Sequence, residues 1–263
     1  MRHIQELPPI VFIGAGNLAT NLAVALNRNG IPIAQVYSRT EDSAIALAGK
    51  VYCPYTTDIE SIITGACIYI CAISDNALIE LIPRLTNGRE SSLWVHTAGS
   101  LPMEVWGNLE NYGVFYPLQT FSKNREVDFS KIPFFIEANN EKHTGMLIKL
   151  AKVLSDKVYG ISSAQRMKLH LAAVFACNFT NYMYTVAADI VSEEKLPFEI
   201  LLPLIDETAS KVHELSPEQA QTGPAVRFDR NIIGKHLDIL KEYPDIQRLY
   251  ELLSTSIYTR KNQ

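Results

Sequence analysis

The sequence has few cysteines, no strong excess of either charge and no long apolar run. Its 263 residues include 4 cysteines, which have neither the number of a disulfide framework nor the grouping of a metal site. The formal net charge of −4 gives no reason to expect nucleic acid or an anionic membrane as a partner. The longest apolar runs, such as residues 66–73, are far shorter than the roughly 20 residues of a transmembrane helix. The polar N-terminal stretch does not resemble a signal peptide, so we expect a metal-free protein of the reducing cytoplasm.

The first apolar stretch of the chain leads into a glycine-rich turn. Residues 10–13 form a short apolar run, which is typical of a strand buried on both faces. The G-x-G-x-x-A motif that follows predicts a dinucleotide site, in which Gly14 permits the tight turn, Gly16 lets the backbone approach a pyrophosphate and Ala19 lets the next helix pack closely. The residues predicted to bind the cofactor here are Gly14, Gly16, Asn17, Leu18 and Ala19. The alternative is a glycine-rich turn that binds nothing.

The end of the second predicted strand, residues 33–37, determines the expected cofactor. NAD-binding proteins usually place a carboxylate at this point, whereas this chain has Ser38, Arg39 and Thr40. A guanidinium and two hydroxyls suit the 2′-phosphate of NADP, which we therefore predict as the cofactor. Alternatively, Ser38 or Thr40 caps the next helix and Arg39 is a solvated surface residue.

Two further strands end in polar residues. A predicted strand over residues 67–73 ends at Ser74 and Asp75, and the next, over residues 93–95, ends at His96 and Thr97. Because ligands of open parallel sheets bind outside the carboxyl ends of the strands, we expect these four side chains to lie near the nicotinamide. The alternatives are that Asp75 caps a helix and that the hydrogen bond of His96 only holds its loop.

The alternation of strands and helices predicts a Rossmann-type, doubly wound, mostly parallel sheet over residues 1–160, followed by an all-helical domain over residues 161–263. A short strand is expected near Val51. Residues 163–192 lack proline and glycine and predict one long helix, whose middle, residues 171–177, is apolar all round and is expected to be buried on every side. The small helical domain cannot bury such a helix alone, which predicts a homodimer through the C-terminal helices.

The helical domain carries two candidate substrate regions. At about 100° per residue, His170 and Asn178 fall on one polar arc of the long helix, with a polar helix–helix network as the alternative. The second region is the Thr222-Gly223-Pro224 loop with Arg227, which together suit a carboxylate or phosphate. The alternative there is a rigid turn in which Arg227 pairs with Asp229 or Asp206.

With these residues in view, the chain resembles a family of NADP oxidoreductases that pair a Rossmann domain with a helical domain. It is also similar to deazaflavin-dependent NADP oxidoreductases and to pyrroline-5-carboxylate reductase. The matching stretches are residues 14–19, 96–100, 116–121, 170–178 and 222–229. The resemblance implies a helical dimerisation domain and an active site between the domains. The β-hydroxyacid dehydrogenases, which are wider relatives, place an Asn one helical turn after a catalytic Lys. In this chain Ala172 stands one turn after Lys168, which argues against a mechanism that uses this lysine.

These observations predict an NADP(H)-dependent oxidoreductase that transfers hydride between the nicotinamide and a small imine or carbonyl substrate. A group that titrates near neutral pH would supply the proton, and His170 or His96 suits that role, with Asn178 beside the reacting atoms. Two alternatives stay open. One is hydride exchange between a deazaflavin and NADP, and the other is a non-catalytic sensor that binds NADP.

Overall fold

The computed structural model describes residues 8–65 and 68–262, and eight strands of this part form one sheet in the order β3-β2-β1-β4-β5-β6-β7-β8. The strands are β1 (Ile10–Ile13), β2 (Ile33–Tyr37), β3 (Tyr55–Thr56), β4 (Ile68–Cys71), β5 (Leu93–His96), β6 (Tyr112–Pro117), β7 (Phe134–Ala138) and β8 (Val158–Gly160). β6 and β7 pair antiparallel, whereas the other neighbouring strands pair parallel. The predicted doubly wound sheet is confirmed, and its order reverses between β1 and β4.

The helices follow the strands along the chain and then continue without them. They are α1 (Asn17–Arg28), α2 (Glu41–Val51), α3 (Asp75–Thr86), α4 (Glu141–Lys152), α5 (Ser163–Ala173), α6 (Thr180–Glu193), α7 (Leu202–Glu214), α8 (Pro217–Ala220), α9 (Arg230–Ile239) and α10 (Pro244–Lys261). None of the helices in the described ranges has the length and apolarity needed to cross a membrane.

The sheet separates two apolar cores, because successive side chains of a strand point to opposite faces. Ile10 and Phe12 of β1 pack into one core together with Leu22 of α1. Val11 and Ile13 pack into the other. β1, β4 and β5 are buried along their whole length, which explains why their sequences are continuous apolar runs.

The described residues group into two compact units, the first ending at Cys177 and the second beginning at Asn178. The second unit contains α6 to α10 and no strand among the residues that the structure describes. This confirms the predicted helical C-terminal region. The division of the chain at residues 160 and 161 stays a prediction.

Four local predictions need comment. Val51 is the last residue of α2, so the strand expected there is wrong, and the third strand is Tyr55–Thr56. The predicted long helix changes from α-helical to π-helical over Val174–Phe179 before α6 begins. In the single chain Leu171 is 57% and Phe175 61% exposed, so the apolar middle of this helix is not buried within the chain. The predicted start of the fourth strand at residue 67 lies outside the described residues.

Candidate functional site

The glycine turn between β1 and α1 has the geometry of an anion site. Gly14 has a φ of +109°, and a Cβ there would lie 2.6 Å from the carbonyl oxygen of Ala72 in the chain segment after β4. A Cβ on Gly16 would meet no atom of the described residues within 4 Å, which leaves space for a ligand beside this backbone. Gly16 is also the N-cap of α1, where no side chain caps the helix and no acidic residue occupies the first turn. The backbone N–H groups of the first turn can therefore bind a pyrophosphate, and a dinucleotide fits this turn.

The polar residues after β2 are available to a ligand. Ser38 is buried, whereas Arg39 and Thr40 are exposed. Thr40 occupies the N-cap position of α2 but makes no side-chain cap hydrogen bond. Arg39 belongs to none of the ion pairs found among the described residues. The capping alternative is thus not observed for Thr40, and the guanidinium of Arg39 can contact a phosphate.

The loop after β5 is tied to the end of β4 and the start of α3. The backbone N–H of Thr97 donates to the carbonyl of Cys71 at 3.2 Å. The hydroxyl of Ser100 donates to the carboxylate of Asp75, the first residue of α3. Ser74 is the N-cap of this helix and makes no side-chain cap hydrogen bond. The structure therefore brings Asp75, Thr97 and the loop together at the carboxyl ends of β4 and β5.

His96 lies beneath this loop rather than on its surface. Its side chain has 0% exposure, and its Nδ1 accepts the backbone N–H of Ala98 at 3.2 Å. Burial and, next, the positive charge of Arg166 lower the pKa of His96 to about 3, and the Pro102 carbonyl opposes this only in part. His96 is consequently neutral at physiological pH. Its contacts match the alternative in which it holds the loop.

His170 of α5 also lies against this loop, at Gly99. A Cβ on Gly99 would lie 2.5 Å from Nδ1 of His170, which is closer than protein atoms can approach. The half-buried ring can occupy its position only because residue 99 is glycine. The hydroxyl of Tyr116, near the end of β6, lies 3.1 Å from the same Nδ1. The loop, β6 and α5 thus converge on one imidazole.

A buried ion pair fixes the start of α5, one turn before His170. Arg166 has 0% exposure, and its guanidinium donates to the carboxylate of Glu137 on β7 and to the carbonyl of Leu101. The same carboxylate accepts the backbone N–H and the hydroxyl of Ser163, both at 2.8 Å. These bonds join the first turn of α5 to the sheet and to the chain segment after the loop. They hold the helix turn that precedes His170.

Sequence reasoning did not identify Gly99, Tyr116, Glu137 or Arg166 as site residues. Gly99 lies in the His-Thr-Ala-Gly-Ser stretch, and Tyr116 begins another stretch that carries the family resemblance. Arg166 stands one helical turn before His170, which places both on one helix face. Sequence reasoning could have used this four-residue spacing to place Arg166 beside His170. The spacing does not indicate, however, that an arginine in the first turn of a helix is completely buried.

The remaining predicted residues belong to the second compact unit. Asn178 is exposed and lies in the π-helical segment, whose wider turn breaks the 100° spacing on which the predicted polar arc depends. Thr222 and Arg227 are exposed, and Gly223 has a φ of +103°. Arg227 forms no ion pair with Asp229 or Asp206, which leaves its guanidinium available. The roles of these residues stay predictions. Within the described ranges, no cluster of His, Cys, Asp and Glu could hold a metal ion.

Comparison with known proteins identifies the family. A family model described as "NADP oxidoreductase coenzyme F420-dependent" matches residues 9–98. A crystal structure from Bacteroides fragilis, named "putative NADP oxidoreductase", shares 57% sequence identity, with 97% of this chain and 99% of that chain covered and a TM-score of 0.93. The chain belongs to this family of NADP oxidoreductases.

More distant relatives of this oxidoreductase share its fold. An imine reductase from Myxococcus stipitatus in complex with NADP⁺ has 15% identity and a TM-score of 0.63, with 96% of this chain and 92% of that chain covered. A Plasmodium falciparum pyrroline carboxylate reductase with NADP bound has 12% identity and a TM-score of 0.60, with 95% of each chain covered. A second family model, described as a domain of unknown function, matches residues 132–257 of the oxidoreductase. The search of curated proteins found no match.

Proposed function

We propose that this oxidoreductase uses NADPH to reduce a small imine or carbonyl compound. The observation that carries the proposal is the contact of Gly99 and Tyr116 with His170. This contact lies at the carboxyl ends of the strands, where the glycine turn after β1 also lies. A half-buried imidazole, held by a tyrosine at the carboxyl ends of the strands, suits proton transfer to a bound substrate. The names of two proteins with the same fold, an imine reductase and a pyrroline carboxylate reductase, support this choice of substrate class.

The proposed cofactor is NADP(H). The first turn of α1 binds the pyrophosphate through the backbone N–H groups after Gly16. The guanidinium of Arg39 and the hydroxyls of Ser38 and Thr40 bind the 2′-phosphate. The residues expected at the nicotinamide half are Ser74, Asp75 and Thr97, which can contact it, and His96, which lies beneath them. Of these, His96 contributes by supporting the loop, because its ring is fully buried.

The proposed reaction needs a hydride and a proton. When bound, NADPH supplies the hydride, and with it both electrons, to the electrophilic carbon of the substrate. His170 supplies the proton to the substrate nitrogen or oxygen, where negative charge develops. His96 is less suited to that role, since its low pKa keeps it unprotonated at neutral pH. The Asp75–Ser100 hydrogen bond holds the loop against which the substrate lies.

The helical unit has two proposed roles. In the first, Thr222, Gly223 and Arg227 bind an acidic group of the substrate and Asn178 contacts its polar end. In the second, its exposed apolar side chains, together with Leu171 and Phe175 in the helical segment that precedes the unit, pair with those of a second copy, which gives a homodimer. We also infer a cytoplasmic location from the few scattered cysteines.

The test is NADPH consumption with a panel of small imines, imino acids and ketones. At least one compound should be turned over, and His170→Gln should lower kcat by about 100-fold. His213→Gln, which changes an exposed histidine of α7, is the matched control and should keep wild-type kcat. Tight NADPH binding without turnover of any compound would contradict the proposal and favour an NADP-binding sensor.

A second candidate function is hydride exchange between a deazaflavin and NADP. The match of residues 9–98 to a family described as coenzyme F420-dependent favours it. A deazaflavin therefore belongs in the substrate panel. Reduction of the deazaflavin alone, with every imine and ketone inert, would replace the first proposal with this one.

A further inference from the structure

The contact between Tyr116 and His170 has a fixed geometry. The phenolic oxygen lies 3.1 Å from Nδ1, and the two rings meet edge to face with centres 6.2 Å apart. The pairing of β6 with β7 holds the backbone of Tyr116. The Arg166–Glu137 ion pair holds the helix turn that precedes His170. Because each ring is positioned by separate contacts, the hydrogen bond between them is built into the fold.

The direction of this hydrogen bond depends on which ring nitrogen of His170 carries hydrogen. Tyr116 is 7% exposed, and its burial raises the pKa of the phenol, so that the hydroxyl keeps its proton at neutral pH. A protonated phenol donates well, and the bare nitrogen of a neutral imidazole accepts. The buried hydroxyl of Tyr116 can therefore donate its proton to a bare Nδ1 of His170. In a neutral imidazole the single ring hydrogen then resides on Nε2.

We propose that Tyr116 is a positioning residue, which holds His170 in the tautomer with hydrogen on Nε2 and so prepares that nitrogen to protonate the substrate. This inference rests on the proposed reductase function. As the Nε2 proton passes to the substrate nitrogen or oxygen, the phenolic proton passes to Nδ1. His170 stays neutral, and Tyr116 becomes a phenolate that solvent reprotonates after the reaction.

The surroundings of Tyr116 act on this proton movement in opposite directions. The positive charge of Arg166 lowers the pKa of Tyr116, in opposition to the larger effect of burial. The guanidinium thus favours the phenolate that forms during the reaction. Arg166 also acts on a second ring, since its charge adds to the larger effect of burial in lowering the pKa of His96.

The first test is ¹⁵N NMR of the histidine rings in the full chain, at a pH where imidazole is neutral. This method distinguishes a ring nitrogen that carries hydrogen from a bare one, and His170→Gln identifies the signals of His170. The wild type should carry hydrogen on Nε2. Tyr116→Phe keeps the aromatic ring and should shift the signals toward a mixture of tautomers. Hydrogen on Nδ1 in the wild type, or unchanged signals in Tyr116→Phe, overturns the proposal.

The second test is steady-state kinetics with NADPH and the substrate found in the panel. Tyr116→Phe should lower kcat by about 100-fold, while KM for NADPH changes by less than about twofold. Tyr159→Phe is the matched control, because it removes an exposed hydroxyl from a β8 tyrosine that stacks on Phe135. This control should keep wild-type kcat. An unchanged kcat in Tyr116→Phe also overturns the proposal.

The two tests separate this inference from the proposed function. If the wild-type protein turns over no substrate, the proposed function fails, and the NMR result alone decides whether Tyr116 sets the tautomer. If turnover occurs but His170 carries hydrogen on Nδ1, the proposed function is supported and the proposed role of Tyr116 is contradicted.

Discussion

Replacement of Gly99 by alanine should displace the His170 ring. The added Cβ would lie 2.5 Å from Nδ1, 2.6 Å from Cγ and 2.9 Å from Cβ of His170. Carbon atoms pack at about 3.5–4.0 Å, so the ring must move by roughly 1 Å. A displacement of that size breaks the 3.1 Å hydrogen bond to Tyr116. Overpacking of this kind costs about 1–3 kcal/mol of stability, and a misplacement of about 1 Å can lower kcat by about 100-fold.

The assay is kcat and KM for NADPH, with thermal unfolding measured in parallel. We expect kcat to fall while KM for NADPH changes little, because the substitution leaves the glycine turn intact. Gly145→Ala is the matched control, since a Cβ on that α4 glycine meets none of the atoms in the described part of the chain within 4 Å. It should keep wild-type kcat and gain about 0.5–1 kcal/mol of stability. Wild-type kcat in Gly99→Ala would refute the assignment of His170.

Three other predictions follow from separate parts of the molecule. Gly14→Ala should lower stability by at least about 1–2 kcal/mol, because of its φ of +109° and the contact with Ala72, as measured by denaturant unfolding. The free energy of unfolding should decrease as pH falls from about 6.5 to about 3, because in this range His96 is protonated in the unfolded chain but stays neutral in the folded protein. The decrease in the free energy of unfolding from His96 should approach about 5 kcal/mol. Sedimentation at micromolar concentration should show a dimer, which Leu171→Glu with Phe175→Glu should dissociate.

Each of these predictions has its own contradicting result. Wild-type stability in Gly14→Ala would show that the turn adapts to a side chain. An identical pH dependence of stability in His96→Asn would exclude His96 as its source. A folded monomer of the wild type across the dilution series would contradict the dimer.

The sheet could be predicted from the sequence because its strands are local apolar runs. β1, β4 and β5 are buried on both faces, and such strands need no alternating pattern to be recognised. The strand near Val51 was misplaced because β3 is two residues long and carries almost no pattern. The π-helical segment over Val174–Phe179 was missed because hydrophobic spacing does not encode a change in helix type.

The site could be predicted only where one chain segment contains the whole signal. The glycine turn is such a segment, since the motif, the turn and the helix start adjoin one another. The Tyr116–His170 contact joins residues 54 positions apart, and Gly99 matters only because His170 lies against it. His96 was expected near the nicotinamide, but full burial depends on Trp106 and other residues that pack around it. Long-range packing of this kind is not visible in a local pattern.

The central claim is that this oxidoreductase binds NADP(H) at the glycine turn with Arg39 on the 2′-phosphate. Titration of NADPH and NADH against the wild type and Arg39→Ala tests it most directly, with Arg260→Ala of α10 as the matched control. One charge-assisted contact is worth about 1.5–3 kcal/mol, so the wild type and the control should prefer NADPH by about 10- to 100-fold. Arg39→Ala should lose most of that preference. Equal affinities of the wild type for the two cofactors would contradict the account.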